Sequence, residues 1–224
     1  MSSTKKYNDK YFEEIKKNRL QTKENLIKQN EWYYSDEVEV EVGDWFVNYY
    51  KWQHPSHEKM VSSDIFTVYE FDDVEKKIAI DSIVLDIGAG AGYHSVAYSL
   101  YADKVIAIEP NYAAFDVLRE NYKLNEKIVA YNVGCAVEDK KETFWYRDET
   151  LYRKGNSDSS DVYLVNLNNF LNELHKEDID KIKCIRIGFD DDENVVLSTL
   201  SDIIEKNNPV IIKKGEESRY ATIS

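Results

Sequence analysis

Asp86, Gly88, Gly90 and Gly92 stand as D-x-G-x-G-x-G, with Ala89 between the first two glycines. Glycines at this spacing let the backbone turn tightly and approach a ligand closely. A helix starting at Tyr93 and His94 would offer free N–H groups and the positive end of its dipole to a polar or anionic ligand group. Glu109 follows the glycines by about 20 residues, the distance of a carboxylate that accepts from both hydroxyls of a ribose. Without the loop, Glu109 would read as a solvated strand-end glutamate. A dinucleotide site has the spacing G-x-G-x-x-G, because the helix must meet a pyrophosphate. Here the third glycine comes one residue earlier and Asp86 precedes the first. A carboxylate there suits an ammonium, held directly or through water, and repels a diphosphate. Charge thus favours S-adenosylmethionine over NAD.

Asp190, Asp191, Asp192 and Glu193 form a second cluster, directly after an apolar stretch. Methyl transfer from a sulfonium needs alignment and, for a hydroxyl acceptor, loss of a proton. Asp190 is the first candidate to take it and Asp191 the second. The same acids could instead bind Mg²⁺, which would lower the pKa of the hydroxyl. A third reading is a solvated acidic helix start. His57 and His54 lie near Trp45, Phe46, Tyr49, Tyr50 and Trp52. Aromatic faces stack on sugar rings, and His57 would serve there as a base. The plain alternative is packing of an N-terminal extension.

These residues need elements to position them. Ile83–Asp86 reads as a buried strand, 93–102 as a helix, and 104–109 as a second strand. Residues 112–124 form an amphipathic helix, with Phe115, Leu118 and Tyr122 on one side. Strands follow at 127–132, 182–187 and 210–213, with helices at 167–176 and 193–206. Continuous apolar strands alternating with helices predict a parallel sheet covered on both faces. Residues 144–146 and 162–165 predict an antiparallel excursion. Upstream, 7–33 has helical character and 37–42 alternates strictly as a half-exposed strand. Residues 1–70 are accordingly an N-terminal extension capping the acceptor side, and 71–224 the cofactor-binding domain.

The net charge of −13 over 224 residues disfavours a nucleic-acid partner, since proteins that grip polyanions usually carry a basic surface. The lysines of the N-terminal segment read as a solvated helix face. No apolar run approaches the ~20 residues of a membrane span, and the N-terminus lacks the apolar stretch of a signal peptide. Cys135 and Cys184 sit in strand-like apolar stretches, as buried thiols of a reducing compartment would. The expected location is cytoplasmic.

Val84–Ser95, Val105–Asn111 and Leu118–Asn125 together resemble class I methyltransferases of the FkbM type. The resemblance runs from Glu70 to Lys213 and is strongest over 83–139. It implies a Rossmann-like class I fold and an O-methyltransferase acting on a hydroxyl of a sugar or glycan, or of another small metabolite. It also places Asp86, Gly88, Gly90, Gly92, Glu109 and Asn111 around the cofactor, with Gly134 and Cys135 beside its adenine, and Ala89, Tyr93, His94 and Pro110 are counted with the same expected site by their place next to these residues. Leu167–Phe170 resembles the family's helix start. Three departures stand out. Gly188 occupies the place of the family's aspartate, Lys213 that of a later acid, and few residues follow Lys213 to form the usual sixth and seventh strands. A module that binds the cofactor without catalysis would tolerate all three. An unpaired sheet edge would also suit a homo-oligomer.

Overall fold

The computed structural model describes residues 6–28, 34–42, 45–52, 81–123, 125–147, 150–152, 159–189 and 193–213. The chain opens with helix α1 (Asp9–Lys28) and a hairpin, β1 (Tyr34–Val42) and β2 (Trp45–Trp52). The aromatic run expected only to pack or stack is therefore itself a strand. Trp, Phe, Val and Tyr fit a pleated surface well, and β2 pairs antiparallel with β1 through Glu37↔Tyr50, Val40↔Val47 and Val42↔Trp45.

The alternation continues as β3 (Ile83–Ile87), α2 (Tyr93–Ser99), β4 (Lys104–Ile108), α3 (Tyr112–Lys123) and β5 (Ile128–Tyr131). After β5 come β6 (Gly134–Cys135), β7 (Lys140–Arg147), β8 (Thr150–Tyr152), β9 (Ser159–Val165) and α4 (Leu167–Leu174). The described chain closes with β10 (Ile182–Ile187), α5 (Glu193–Thr199), α6 (Ser201–Asn207) and β11 (Val210–Lys213). The main sheet has five strands in the order β11-β10-β3-β4-β5, all parallel. In chain order this is 3-2-1-4-5 read from the β5 edge, the doubly wound order of a Rossmann-like class I methyltransferase fold. The sheet ends at β11 among the described residues.

Every residue of β3 is buried, and the strand's period of two sends its side chains to opposite faces. Ile83, Leu85 and Ile87 join Ile106, Ile108, Ile185 and Ile187 in one core, with Phe170, Leu171, Val196 and Leu200 from the helices. Val84 joins Val105, Ala107 and Cys184 in the other, under Val96, Tyr98, Phe115 and Leu118. Asp86 and Arg186 belong to this second face by parity. The single helix expected over 193–206 is broken at Leu200, which sits at φ −104° and ψ 9°. Leu200 is fully buried, so the bend drives it into the core.

The expected excursion is a second sheet, ordered β6-β9-β7-β8, with β7 and β9 antiparallel. Helix α1 docks beside it through aromatic rings. Tyr7 packs edge-on against Phe170 with centroids 4.8 Å apart, and Tyr11 against Tyr163 at 5.8 Å. Tyr7 also donates its hydroxyl to Asp139 at 2.6 Å and its N–H to Glu173 at 2.7 Å. Neither cysteine forms a disulfide. Cys184 is buried as expected, whereas Cys135 is half-buried. Among the described residues no helix is long and apolar enough to cross a membrane.

Candidate functional site

Strand order reverses between β3 and β10, and ligands of open parallel sheets bind in the crevice at such a switch point, outside the carboxyl ends of the strands. The glycine loop leaves β3 at that crevice. Gly88, Gly90 and Gly92 all take positive φ, at 75°, 59° and 89°. The loop is stapled to the neighbouring strand, since the Gly88 and Ala89 N–H groups donate to the Ile108 carbonyl at 2.8 and 3.1 Å. A Cβ on Gly90 would meet nothing within 4 Å, so the loop tip faces open space on that side. The helix behind it is short, and its N-cap Gly92 provides no side-chain hydrogen bond.

Glu109 lies just past β4 and is 6% exposed. Its Oε2 accepts the Gly90 N–H and its Oε1 the Asn111 N–H, each at 2.7 Å. Burial pushes this carboxyl up to about 7, against the pull of those two N–H groups. A carboxylate oxygen has two acceptor directions, so both oxygens keep capacity for ribose hydroxyls. Asn132 holds the same turn, donating from Nδ2 to the Glu109 carbonyl at 2.8 Å. Pro110 borders Gly134, where an added Cβ would come within 3.3 Å of the proline and 2.5 Å of Leu164. Glu109, Pro110, Asn111 and Gly134 thus converge beside the loop. Cys135 instead sets its Sγ 3.6 Å from the Thr199 hydroxyl and packs on the large core.

Asp86 is fully buried. Ser95 donates to its Oδ2 at 2.6 Å, and Arg186 Nη1 to its Oδ1 at 2.9 Å. The two residues are direct partners in the β3–β10 register, which puts their side chains on one face. The same Nη1 lies 3.4 Å from the Gly88 carbonyl. Arg186, which the structure brings against the glycine loop, was given no role by sequence reasoning. Its signal was an arginine inside the apolar run Ile182–Ile187, because arginine is almost never fully buried unless paired. Gly188 explains itself here, since a Cβ would collide with the Gly88 carbonyl and the Arg186 guanidinium. Phe189 lies over Gly88 so closely that a Cβ on that glycine would come within 2.7 Å of its ring.

Tyr93 and His94 are half-buried at the start of α2. Burial first, and then the Arg186 charge, hold the His94 imidazole well below its ordinary pKa, so it is neutral at pH 7. The proposed proton acceptors Asp190, Asp191 and His57 lie outside the described residues. Among the described residues no group of three or more His, Cys, Asp or Glu could hold a metal ion.

Residues 60–145, under half of the chain, match the TRM5/TYW2 methyltransferase domain. No curated protein matches. Similar solved structures include the M. jannaschii tRNA m1G37 methyltransferase, at 15% identity and a TM-score of 0.37, covering 75% of this chain and 38% of that one. M. jannaschii TYW2 in complex with AdoMet is 15% identical with a TM-score of 0.34, over 78% of this chain and 60% of that one. The complex of aTrm5 with tRNALeu is 23% identical with a TM-score of 0.27, over 42% and 26%. The chain therefore spans less than two thirds of the length of each.

The FkbM resemblance is overturned by the match to a different family over 60–145. What had carried it, the glycine loop and Glu109, is the part that methyltransferases of this fold share, and it says nothing of the acceptor. A sugar or glycan hydroxyl as acceptor falls with it, and so does the expectation that the charge disfavours a nucleic-acid partner. TRM5 and TYW2 give the matched domain its name. The charge reasoning failed because −13 is a sum over the whole chain, while recognition depends on a local surface.

Proposed function

We propose that this chain is an S-adenosylmethionine-dependent methyltransferase domain whose acceptor is a nucleobase of tRNA. The observation that carries the cofactor is the buried Glu109 carboxylate, bonded to the Gly90 and Asn111 N–H groups beside an open glycine loop at the switch point. The acceptor class rests on the TRM5/TYW2 match over 60–145.

In this reading Glu109 accepts from the ribose hydroxyls, and Gly134 with Pro110 borders the adenine. The glycine loop lets the backbone close on the rest of the cofactor. The cofactor, when bound, supplies an electrophilic methyl group. The protein's task is to hold the acceptor atom in line with it and to receive any proton the acceptor loses. Asp190, then Asp191, remain the proposed receivers, since they follow Phe189 at the crevice. Several of the described lysines pair with acids, among them Lys6–Asp139, Lys104–Asp178, Lys140–Glu142 and Lys141–Asp161. Contact with RNA through these residues is thus expected to be local and salt-sensitive.

The test is methyl transfer from radiolabelled S-adenosylmethionine to unmodified tRNA transcripts, with oligosaccharides as the parallel acceptor. Label in RNA, recovered as a methylated base, supports the reading. Label in sugar only, or binding of the cofactor with no transfer to RNA, overturns the acceptor assignment.

A further inference from the structure

The stretch 134–139 is pinned at short intervals to the junction of β9 and α4. Gly134 and Cys135 pair with Leu164 and Val165. The Ala136 N–H donates to the Val165 carbonyl at 2.9 Å. Asn166 Nδ2 donates to the Val137 carbonyl at 2.8 Å, and the Asn166 N–H to Asp139 Oδ1 at 2.9 Å. The last pin is shared with the lead-in to α1, since Asp139 Oδ2 accepts from the Tyr7 hydroxyl at 2.6 Å and from Lys6 Nζ at 2.7 Å. Burial raises the Asp139 carboxyl, yet the Asn166 N–H, Lys6 and Tyr7 hold it below its ordinary pKa, so it is an ionised acceptor at pH 7. The two contacts from the N-terminal side differ in weight. The Lys6 side chain is 59% exposed, and an ion pair open to water contributes little. Tyr7 is 2% exposed, and its hydroxyl makes the stronger, charge-assisted kind of hydrogen bond.

We propose that Tyr7 and Asp139 are positioning residues for the cofactor's adenine, so that docking of α1 fixes the stretch 134–139 and, through it, the wall that Gly134 and Pro110 present to the base. This rests on the reading that the cofactor is S-adenosylmethionine with its adenine at Gly134. The docked and undocked states of α1 are then two states of the site. Docking tightens cofactor binding, and bound cofactor holds α1 down by the same factor.

Two measurements on the full chain test this. Hydrogen exchange read by mass spectrometry follows the α1 amides of residues 9–18 with and without saturating S-adenosylhomocysteine. Calorimetry gives the affinity of wild type, Tyr7→Phe and Tyr163→Phe for the same ligand. Tyr163→Phe removes the hydroxyl that donates to Glu14 and accepts from Asn18, and so loosens α1 away from the stretch 134–139. The ligand should slow exchange in 9–18 by about fivefold or more. Tyr7→Phe should bind it about fivefold more weakly, the scale of one lost hydrogen bond, and Tyr163→Phe should stay within about twofold of wild type. A merely structural Tyr7 would lower the melting temperature of Tyr7→Phe and leave both readouts unmoved. Slowed exchange in β3 and β4 with none in α1, wild-type affinity in Tyr7→Phe, or equal weakening in both variants would overturn the proposal and leave the cofactor site standing. Failure of wild type to bind S-adenosylhomocysteine would overturn the proposal and the methyltransferase reading together. If Tyr7→Phe does not fold, the exchange of wild-type α1 with and without ligand decides on the same terms.

Discussion

In the proposed reading, with Glu109 on the ribose, cofactor affinity depends on pH in a range where little else in the site titrates. The Glu109 carboxyl is pushed up to about 7 by burial, with Asp86 adding to the rise and the Asn111 and Gly90 N–H groups and Arg186 opposing it. His94 remains neutral above its lowered pKa. An ionised Glu109 is the form that accepts two ribose hydroxyls strongly. With a pKa of about 7, roughly a tenth of the molecules are competent at pH 6 and nine tenths at pH 8. Apparent affinity scales with the competent fraction, so S-adenosylhomocysteine should bind about tenfold more weakly at pH 6, a loss of about 1.3 kcal/mol. Near pH 7, binding should release about half a proton, visible as different calorimetric heats in buffers of different ionisation enthalpy. Glu109→Gln should flatten the pH dependence and weaken binding at pH 8, since its NH₂ cannot accept the Gly90 or Asn111 N–H. Affinity that is level from pH 6 to 8 in wild type, or a slope that survives in Glu109→Gln, would refute this account. The sign for folding is opposite. A carboxyl raised from 4.5 destabilises the fold as pH rises from 4.5 toward 7 and adds no further slope above it.

Gly188→Ala forces a Cβ onto the Gly88 carbonyl and the Arg186 guanidinium; it should cost about 1–3 kcal/mol in a denaturant melt and weaken S-adenosylhomocysteine binding as well. Tyr7→Phe removes the 2.6 Å hydrogen bond to Asp139 and should cost about 1 kcal/mol. Tyr7→Ala also empties the site against Phe170 and should cost about 3–5 kcal/mol. His175 is buried between the Tyr131 hydroxyl, 2.9 Å from Nε2, and Asp178, 3.2 Å from Nδ1. Burial lowers its pKa although Asp178 opposes this, so the neutral form is the folded one. Stability should therefore fall as pH drops below 6.5, and His175→Gln should lose less between pH 7 and pH 5 in urea.

The parallel sheet could be read in the sequence because its strands are short, largely apolar runs, such as Lys104–Ile108 and Ile128–Tyr131. Glu109 was legible because a fixed spacing in sequence becomes a fixed place in a strand–loop–helix unit. Arg186 was not, because its meaning depends on a register that pairs it with Asp86 a hundred positions away. The break at Leu200 escaped for a similar reason, since the pull of the core interrupts a helix whose local pattern is continuous. Strand β2 was not legible because a dense aromatic run suits ligand stacking and a pleated strand alike. The acceptor was beyond reach for a chemical reason. Residues that hold adenosine and methionine do not report what receives the methyl group.

The docking of α1 also sets an order of events during folding. Tyr7 is completed by Asp139, Phe170 and Glu173, partners 132 to 166 positions downstream. Closing loops of that length early carries an entropic cost that only the finished β9–α4 surface can offset. Helix α1, upstream of all its partners, is thus among the last described elements to find its place, and until then Tyr7, Tyr11 and Ile15 lie open to solvent and to other chains. A ribosome-bound chain is expected to need its α1 shielded until residues up to about Glu173 have emerged.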